Sequence, residues 1–267
     1  MEELSKDIIN KADGVALEVY KDALQPSLKP IGEVLGFIPR TIRLWLSGWE
    51  KWLINGEASV RMTAEAIEEK IKKVPEERIV EPEAYVAVPA IQQLIYCQDN
   101  PVLRDLYANL LVSSMNADTK WRVHPSFVDI IKQLNPDEAK FLHQLKKNVS
   151  YPLIDIRLKS PSVGYNEIVV NFTAVGNGVV ERIKSVSEYI DNLSRLGIIR
   201  ISQSYLMEDS RYDETIRLCE SLFHVPEVTS DGWKRIYKKH LFELTDFGAS
   251  FVSVVVNPEG AEEYLKV

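Results

Sequence analysis

The stretch VVERIKSVSEYIDNLSRLGII, residues 179–199, decides how the second half of the chain is read. Val179, Ile183, Val186, Ile190, Leu193 and Leu196 recur at three- and four-residue steps, the spacing of one apolar stripe on an α-helix. Gly197 predicts the stop, because a residue without Cβ turns left-handed at little cost. Ile198 then opens a β-rich run to Tyr205. Three more runs of this kind, Pro152 to Leu158, Glu167 to Phe172 and Ile236 to Leu244, are bounded by Gly, Pro, Asn and Ser. After Lys147 the apolar period has therefore changed from helical to mixed.

Working outward, Thr245-Asp246 predicts the cap of a last helix with Phe247, Phe251, Val254 and Val255 inward. Helix, strand, helix and a strand pair closing on FELTDFGASF resemble a winged-helix domain. One departure is plain: Gln203 to Arg235 stands where a short wing belongs and carries its own helical pattern, Ile216, Cys219, Leu222 and Phe223. In the helix that would read DNA, Glu181, Glu188 and Asp191 cancel Arg182, Lys184 and Arg195. A DNA reader needs uncompensated cations there, so a protein-interaction or structural use is expected.

Upstream, Pro82 to Lys147 reads as four short helices. Pro89 is expected to open one carrying Ile91, Leu94 and Ile95. Leu103, Leu106, Tyr107, Leu110, Leu111 and Met115 form the strong face of the next. His124-Pro125 starts the third, with Pro125 at the first helical position and Phe127, Ile130, Ile131 and Leu134 inward. Asn135-Pro136-Asp137-Glu138 starts the fourth with a capping side chain, a proline and two acids. Near the N-terminus, Leu4, Ile8, Ala12, Val15, Val19 and Ala23 predict an amphipathic helix that Pro26 and Pro30 end. Helices over 31–53 and 57–74 follow, and VPEERIVEP, residues 74–82, is the linker candidate. The expected class is mostly α (α+β): a helical N-terminal region 1–80, a central helical domain 81–147, a winged-helix-like domain with a small antiparallel sheet 148–257, and a tail 258–267.

Composition narrows the functions. With 32 Lys+Arg against 39 Asp+Glu the net charge is −7, so generic attraction to phosphate backbones is not expected. Two cysteines, Cys97 and Cys219, exclude a disulfide framework and a four-thiolate zinc site, and both read as core or near-core thiols. His124, His143, His224 and His240 show no metal-ligand spacing. His124 is expected to serve backbone amides at a helix start and His143 to lie on the surface. No nucleophile elbow, P-loop or dinucleotide turn occurs, and Gly176-Asn177-Gly178 lacks the Lys-Ser/Thr of a phosphate loop. Met1-Glu2-Glu3 does not open a secretory signal. No catalytic residue, cofactor or metal is expected, and the location is read as cytoplasmic.

The unusual surface is IGEVLGFIPRTIRLWLSGWEKWLIN, residues 31–55. On a helix, Ile38, Ile42, Trp45, Trp49, Trp52 and Leu53 share an apolar stripe, while Arg40, Arg43, Glu50 and Lys51 fall opposite. These charges suit an interfacial helix, peripheral at the inner membrane face, better than a spanning one. The plainer reading of the same stripe is core, packed on the Leu103–Met115 helix, and a self-association surface is the other alternative.

The passage RIVEPEAYVAVPAIQQLIYCQDNPVLRDLYANLLVSSMNADTKWRVHPSFVDIIKQLNPDEAKFL, with IDNLSRLGII and ELTDFGASF downstream, is similar to the abortive infection alpha family of bacterial proteins. The resemblance runs from about Val19 to Val256. It implies antiphage defence, in which an infected cell stops growing or dies before phage is released, and it brings no catalytic residues. Leu106, Tyr107, Leu110, Leu111, Met115, His124, Pro125 and Phe127 form the core of its motif. The expected protein is non-enzymatic and acts through a phage or host protein, through self-association or through membrane contact. The alternative is a winged-helix regulator that binds nucleic acid or a phage protein.

Overall fold

The computed structural model describes residues 66–94, 97, 100–204 and 210–260. Two compact units divide the chain, Met1–Glu81 and Pro82–Val267. In the first, residues 66–71 are helical, Ile67 and Ile71 are buried, and a short 3-10 turn spans Glu76–Arg78 after Pro75. The expected helix 1–25 and the stripe Ile38, Ile42, Trp45, Trp49, Trp52 and Leu53 lie outside the described residues.

The second unit opens with α1, Ala84–Leu94. Pro89 lies inside this helix and does not open it, a correction to the sequence reading. The helix begins where the amides of Val86 and Ala87 donate to the Glu83 carbonyl. The donor that Pro89 lacks would have served the Tyr85 carbonyl, four residues earlier, in the exposed first turn of the helix.

Next comes α2, Pro101–Ser114, capped by the Asn100 side chain, which accepts from Leu103 N at 3.2 Å. Six consecutive residues, Leu106 to Leu111, are buried, so this helix is enclosed on all sides and forms the centre of the unit. The short helices α3, Ser126–Lys132, and α4, Pro136–Leu142, follow. At the start of α4, Asn135 and Glu138 make a reciprocal capping box: Asn135 Oδ1 accepts from Glu138 N at 2.9 Å, and Glu138 Oε2 from Asn135 N at 2.7 Å.

The period change after Lys147 marks the sheet. Strands β1, Tyr151–Lys159, β2, Tyr165–Phe172, β3, Ile199–Ser202, and β4, Lys234–Leu244, are all antiparallel in the order β2-β1-β4-β3. The register places Tyr151 opposite Phe242 and Leu153 opposite His240 on one face, with Ile154 opposite Lys239 and Ile156 opposite Tyr237 on the other. On the first face Phe242 stacks on Phe141 of α4 at 6.1 Å. On the second, Phe172 meets Phe223 edge-on at 5.6 Å, so α6, Arg211–Phe223, covers it. This helix lies in the long insert before β4, as its apolar spacing predicted.

Between β2 and β3 runs α5, Val186–Arg195, behind a 3-10 turn Ile183–Ser185. It starts later than the apolar spacing suggests, and Val179 is exposed. Asp137 of α4 holds the segment ahead of it. Its buried carboxylate accepts from Glu181 N at 3.1 Å, Arg182 N at 3.0 Å and Tyr189 Oη at 3.0 Å. These bonds tie the segment ahead of α5 to α4. Gly197, at φ +73°, ends α5 as expected.

Thr245 caps α7, Asp246–Phe251, by accepting from Gly248 N at 2.8 Å, and the chain passes into a π-helical turn, Val252–Val256. This turn packs against α2. Asn109 Nδ2 donates to Val255 O and Ser113 Oγ to Val254 O, both at 2.8 Å and buried. The central helices and the sheet region are joined here.

Candidate functional site

The loop after α2 is built from its own polar side chains. Asn116 Oδ1 accepts from Asp118 N at 3.0 Å, and the Asn116 carbonyl accepts from Thr119 N and Lys120 N. Thr119 Oγ1 donates back to Ser113 O at 2.7 Å, and a 3-10 turn, Lys120–Arg122, follows. Trp121 stands on this turn. Its indole N–H donates to Asp118 O at 3.0 Å and the Arg122 guanidinium lies 4.9 Å from the ring centroid, yet the residue is 73% exposed. A ring held at its edge and backed by a cation has already lost much of its rotamer freedom, so a partner that stacks on it pays little ordering entropy.

Trp121 forms one wall of an open cleft of about 360 Å³ with Ala117, Lys120 and Val123. The start of α1 supplies the other wall, Glu83, Tyr85 and Val86, and Ser114 is part of the lining. Tyr85 is 60% exposed, which puts an accessible ring on each wall. Lys120 Nζ and Glu83 Oε1 pair at 2.9 Å. Arg122 makes no ion pair among the described residues, and its Nε and Nη1 are buried without acceptors. Burial lowers its pKa, against the pull of Asp118. The arrangement offers ring faces and nearby charge.

Neither Tyr85 nor Trp121 was singled out from sequence. The available signal was Trp121 between two cations in NADTKWRVHP, a run with no apolar period that could bury it.

The motif residues lie elsewhere. Leu106, Tyr107, Leu110, Leu111, Met115 and Phe127 are buried. His124 and Pro125, counted with that core, are exposed. Pro125 stands just before α3, and His124 serves the turn: its Nδ1 accepts from Ser126 N at 3.2 Å and lies 2.6 Å from Ser126 Oγ. His143 is exposed, and His224, at φ +50°, ends α6. Cys219 is buried and its thiol is pushed up to about 12, by burial first and by Glu220 second, so it stays protonated at neutral pH. Burial raises Cys97 as well.

A second polar cluster, also missed, sits within the sheet. Asp155 of β1 and His240 of β4 are buried, with His240 Nε2 2.9 Å from Asn171 Oδ1 and 3.6 Å from Asp155 Oδ1. Asn171 spends its amide hydrogen on Asp191 Oδ1 at 3.0 Å, so its oxygen faces His240 and the imidazole carries its proton on Nε2. Nδ1 is left buried without a partner. Asp155 also accepts from Asn171 N at 3.1 Å and Arg157 Nη2 at 3.0 Å. Asp155 and His240 are enclosed, and the cluster ties the strands together. Among the described residues no group of His, Cys, Asp or Glu is disposed to hold a metal ion, and no helix is long and apolar enough to cross a membrane.

A mixed α+β chain in which helices dominate, organised around α2, is the class that the fold defines. The chain belongs to the abortive infection alpha family, whose model matches residues 56–255. That span contains the cleft, α2 and all but the last residue of the π-helical turn. No curated protein matches the chain. Among solved structures, it is similar to an uncharacterized protein from the hydrocarbon-degrading marine bacterium Alcanivorax borkumensis SK2, at 13% identity over 48% of this chain and 90% of the other, with a TM-score of 0.29.

Proposed function

We propose that this chain works in phage defence, by abortive infection, as a non-enzymatic protein that binds another protein of phage or host in the cytoplasm. Membership of the abortive infection alpha family supports the setting. The mode rests on one observation: Trp121 is 73% exposed while held in place, and it lines a cleft together with Tyr85. Aromatic anchors of this kind concentrate binding energy at protein interfaces. The order β1-β4-β3, with α5 leading into β3, is read as winged-helix-like and as serving protein contact. Self-association, or peripheral membrane contact through the stripe Trp45, Trp49 and Trp52, is the second mode. Phage challenge of cells carrying the parent or Trp121→Ala tests the reading. Protection is expected to be lost in a variant that melts like the parent, and full protection by Trp121→Ala would remove the cleft from the function.

A further inference from the structure

We infer that the cleft lined by Glu83, Tyr85, Lys120 and Trp121 binds a guanine base, carried by a free nucleoside or nucleotide. Binding of this kind goes beyond the protein contact proposed above and does not depend on it.

The cleft holds few groups that are free to make hydrogen bonds. The Trp121 N–H is committed to Asp118 O, and Ser114 Oγ donates to Leu111 O at 2.6 Å. Glu83 and Lys120 remain, joined between Oε1 and Nζ at 2.9 Å, with 51% and 31% of their side chains exposed. Glu83 Oε2 makes no bond among the described residues. What the edge of a ligand meets is therefore a carboxylate, which only accepts, with an ammonium beside it. The two charges cancel, so the ligand that suits them is neutral at that edge.

Ring surface comes from Tyr85 and Trp121, 60% and 73% exposed. Nucleobases stack on such rings and are told apart by the donors and acceptors along their edges. Guanine alone among the common bases sets two donors side by side, N1–H and the 2-amino group, where a carboxylate can take both. Adenine and cytosine place an acceptor nitrogen beside their amino group, and uracil flanks its one N–H with two carbonyls. A carboxylate repels each of those acceptors. Guanine O6, next to N1, is the acceptor that the Lys120 ammonium favours. A cleft of about 360 Å³ has room for the base and its ribose, and Lys120 is the one cation in its lining, so the phosphates of a nucleotide stay in water.

The test is calorimetric titration of the full chain at pH 7.5 with GMP, IMP, AMP, CMP and guanosine. GMP is expected to bind with a Kd of about 1 mM or tighter, and guanosine to match it. IMP, which lacks the 2-amino donor, should bind about tenfold more weakly, and AMP and CMP should not bind. Trp121→Ala should weaken GMP about tenfold, as the loss of a stacking ring does. Glu83→Gln should abolish the preference for GMP over AMP and keep the fold, because the start of α1 uses the Glu83 carbonyl. The nucleotide series on the parent decides the matter if either variant melts early. Equal binding of GMP and AMP, no GMP bound at millimolar concentration, or parental selectivity in Glu83→Gln would each overturn the inference. Guanosine bound tenfold more weakly than GMP would place recognition on the phosphate and overturn it too. So would a short single strand with one guanine that binds tenfold tighter than GMP, since RNA would then be the source of the base. Loss of phage protection in Trp121→Ala, with no GMP bound by the parent, would overturn this inference and leave the contact surface standing.

Discussion

His240 Nε2 on β4 and Asn171 Oδ1 on β2 lie 2.9 Å apart, a contact that reaches across β1, the strand between them. Asn171 can make it because its backbone is left-handed, at φ +55°, beside irregular β1–β2 pairing. One asparagine side chain thereby joins β4 to Asp191 of α5.

Burial of the same imidazole should make stability depend on pH. Burial holds His240 below its ordinary value of 6.5, although Asp155 pulls the other way. The charged and titratable groups around it are Asp155 and Arg157 on β1, Lys238 on β4 and, through Asn171, Asp191 on α5. The folded state binds the imidazole proton less readily than the unfolded chain, so the His240 contribution is complete above about pH 6.5 and falls away at lower pH. Melting at pH 7.5 and pH 5.5 should show the drop. His240→Gln should be less stable at both values and lose that part of the difference; an unchanged pH difference would contradict the assignment.

Asp137 acts in the opposite protonation state. Burial pushes its carboxyl up, but the Glu181 and Arg182 amides, the Tyr189 hydroxyl and Lys140 pull harder, and the net pKa is below its ordinary value. Its stabilisation is present at neutral pH and is lost in acid, as pH falls below about 3.9 and through the lowered folded value. Each hydrogen bond to a buried charge contributes about 1.5–3 kcal/mol, and losses within one cluster do not add fully. Asp137→Ala should therefore cost about 3 kcal/mol or more in urea unfolding at pH 7, and Asp137→Asn, which turns a donor toward donors, should cost a comparable amount.

Two glycines separate backbone strain from backbone collision. Gly197 has φ +73° and open space where a Cβ would stand, so Gly197→Ala should cost about 1–2 kcal/mol through conformation alone. At Gly248 the same atom would lie 1.9 Å from the Ile198 carbonyl oxygen, which backbone cannot yield cheaply. Gly248→Ala should melt well below Gly197→Ala. Equal melting temperatures would mean that α7 shifts to relieve the contact.

The family motif should behave as a packing element. Leu106 and Leu110 are buried, and Leu→Ala at either should cost about 2–5 kcal/mol. Thermal melting beside phage challenge checks this: a variant that melts like the parent and loses protection would make the motif a functional surface.

Periodicity made the four strands, α2, α5 and α6 readable in the sequence, and Asn135 and Thr245 announced their caps. Hidden from it were effects that depend on distant partners. Asp137 looked like an ordinary first-turn acid, and only the fold brings it to the amides of Glu181 and Arg182. Pro89 looked like a helix start because its cost to Tyr85 depends on what surrounds that carbonyl. Trp121 carries no periodic signal, since exposure follows from the Asn116 turn and from no stripe. His240 sits in a β-rich run among lysines, and its burial depends on Asn171 and α5.

The bonds from Asn109 and Ser113 to Val255 and Val254 span 146 and 141 residues. A ribosome adds about 5–20 residues per second, so α2 is made roughly 7–30 s before its acceptors exist. For that interval the apolar face of α2 that the last turn covers stays open to water, which puts the nascent chain at risk of aggregation or chaperone capture. A chain cut short before Val254 would stay in that condition, so proteolysis of the last turn would disarm the protein as surely as a change in its core.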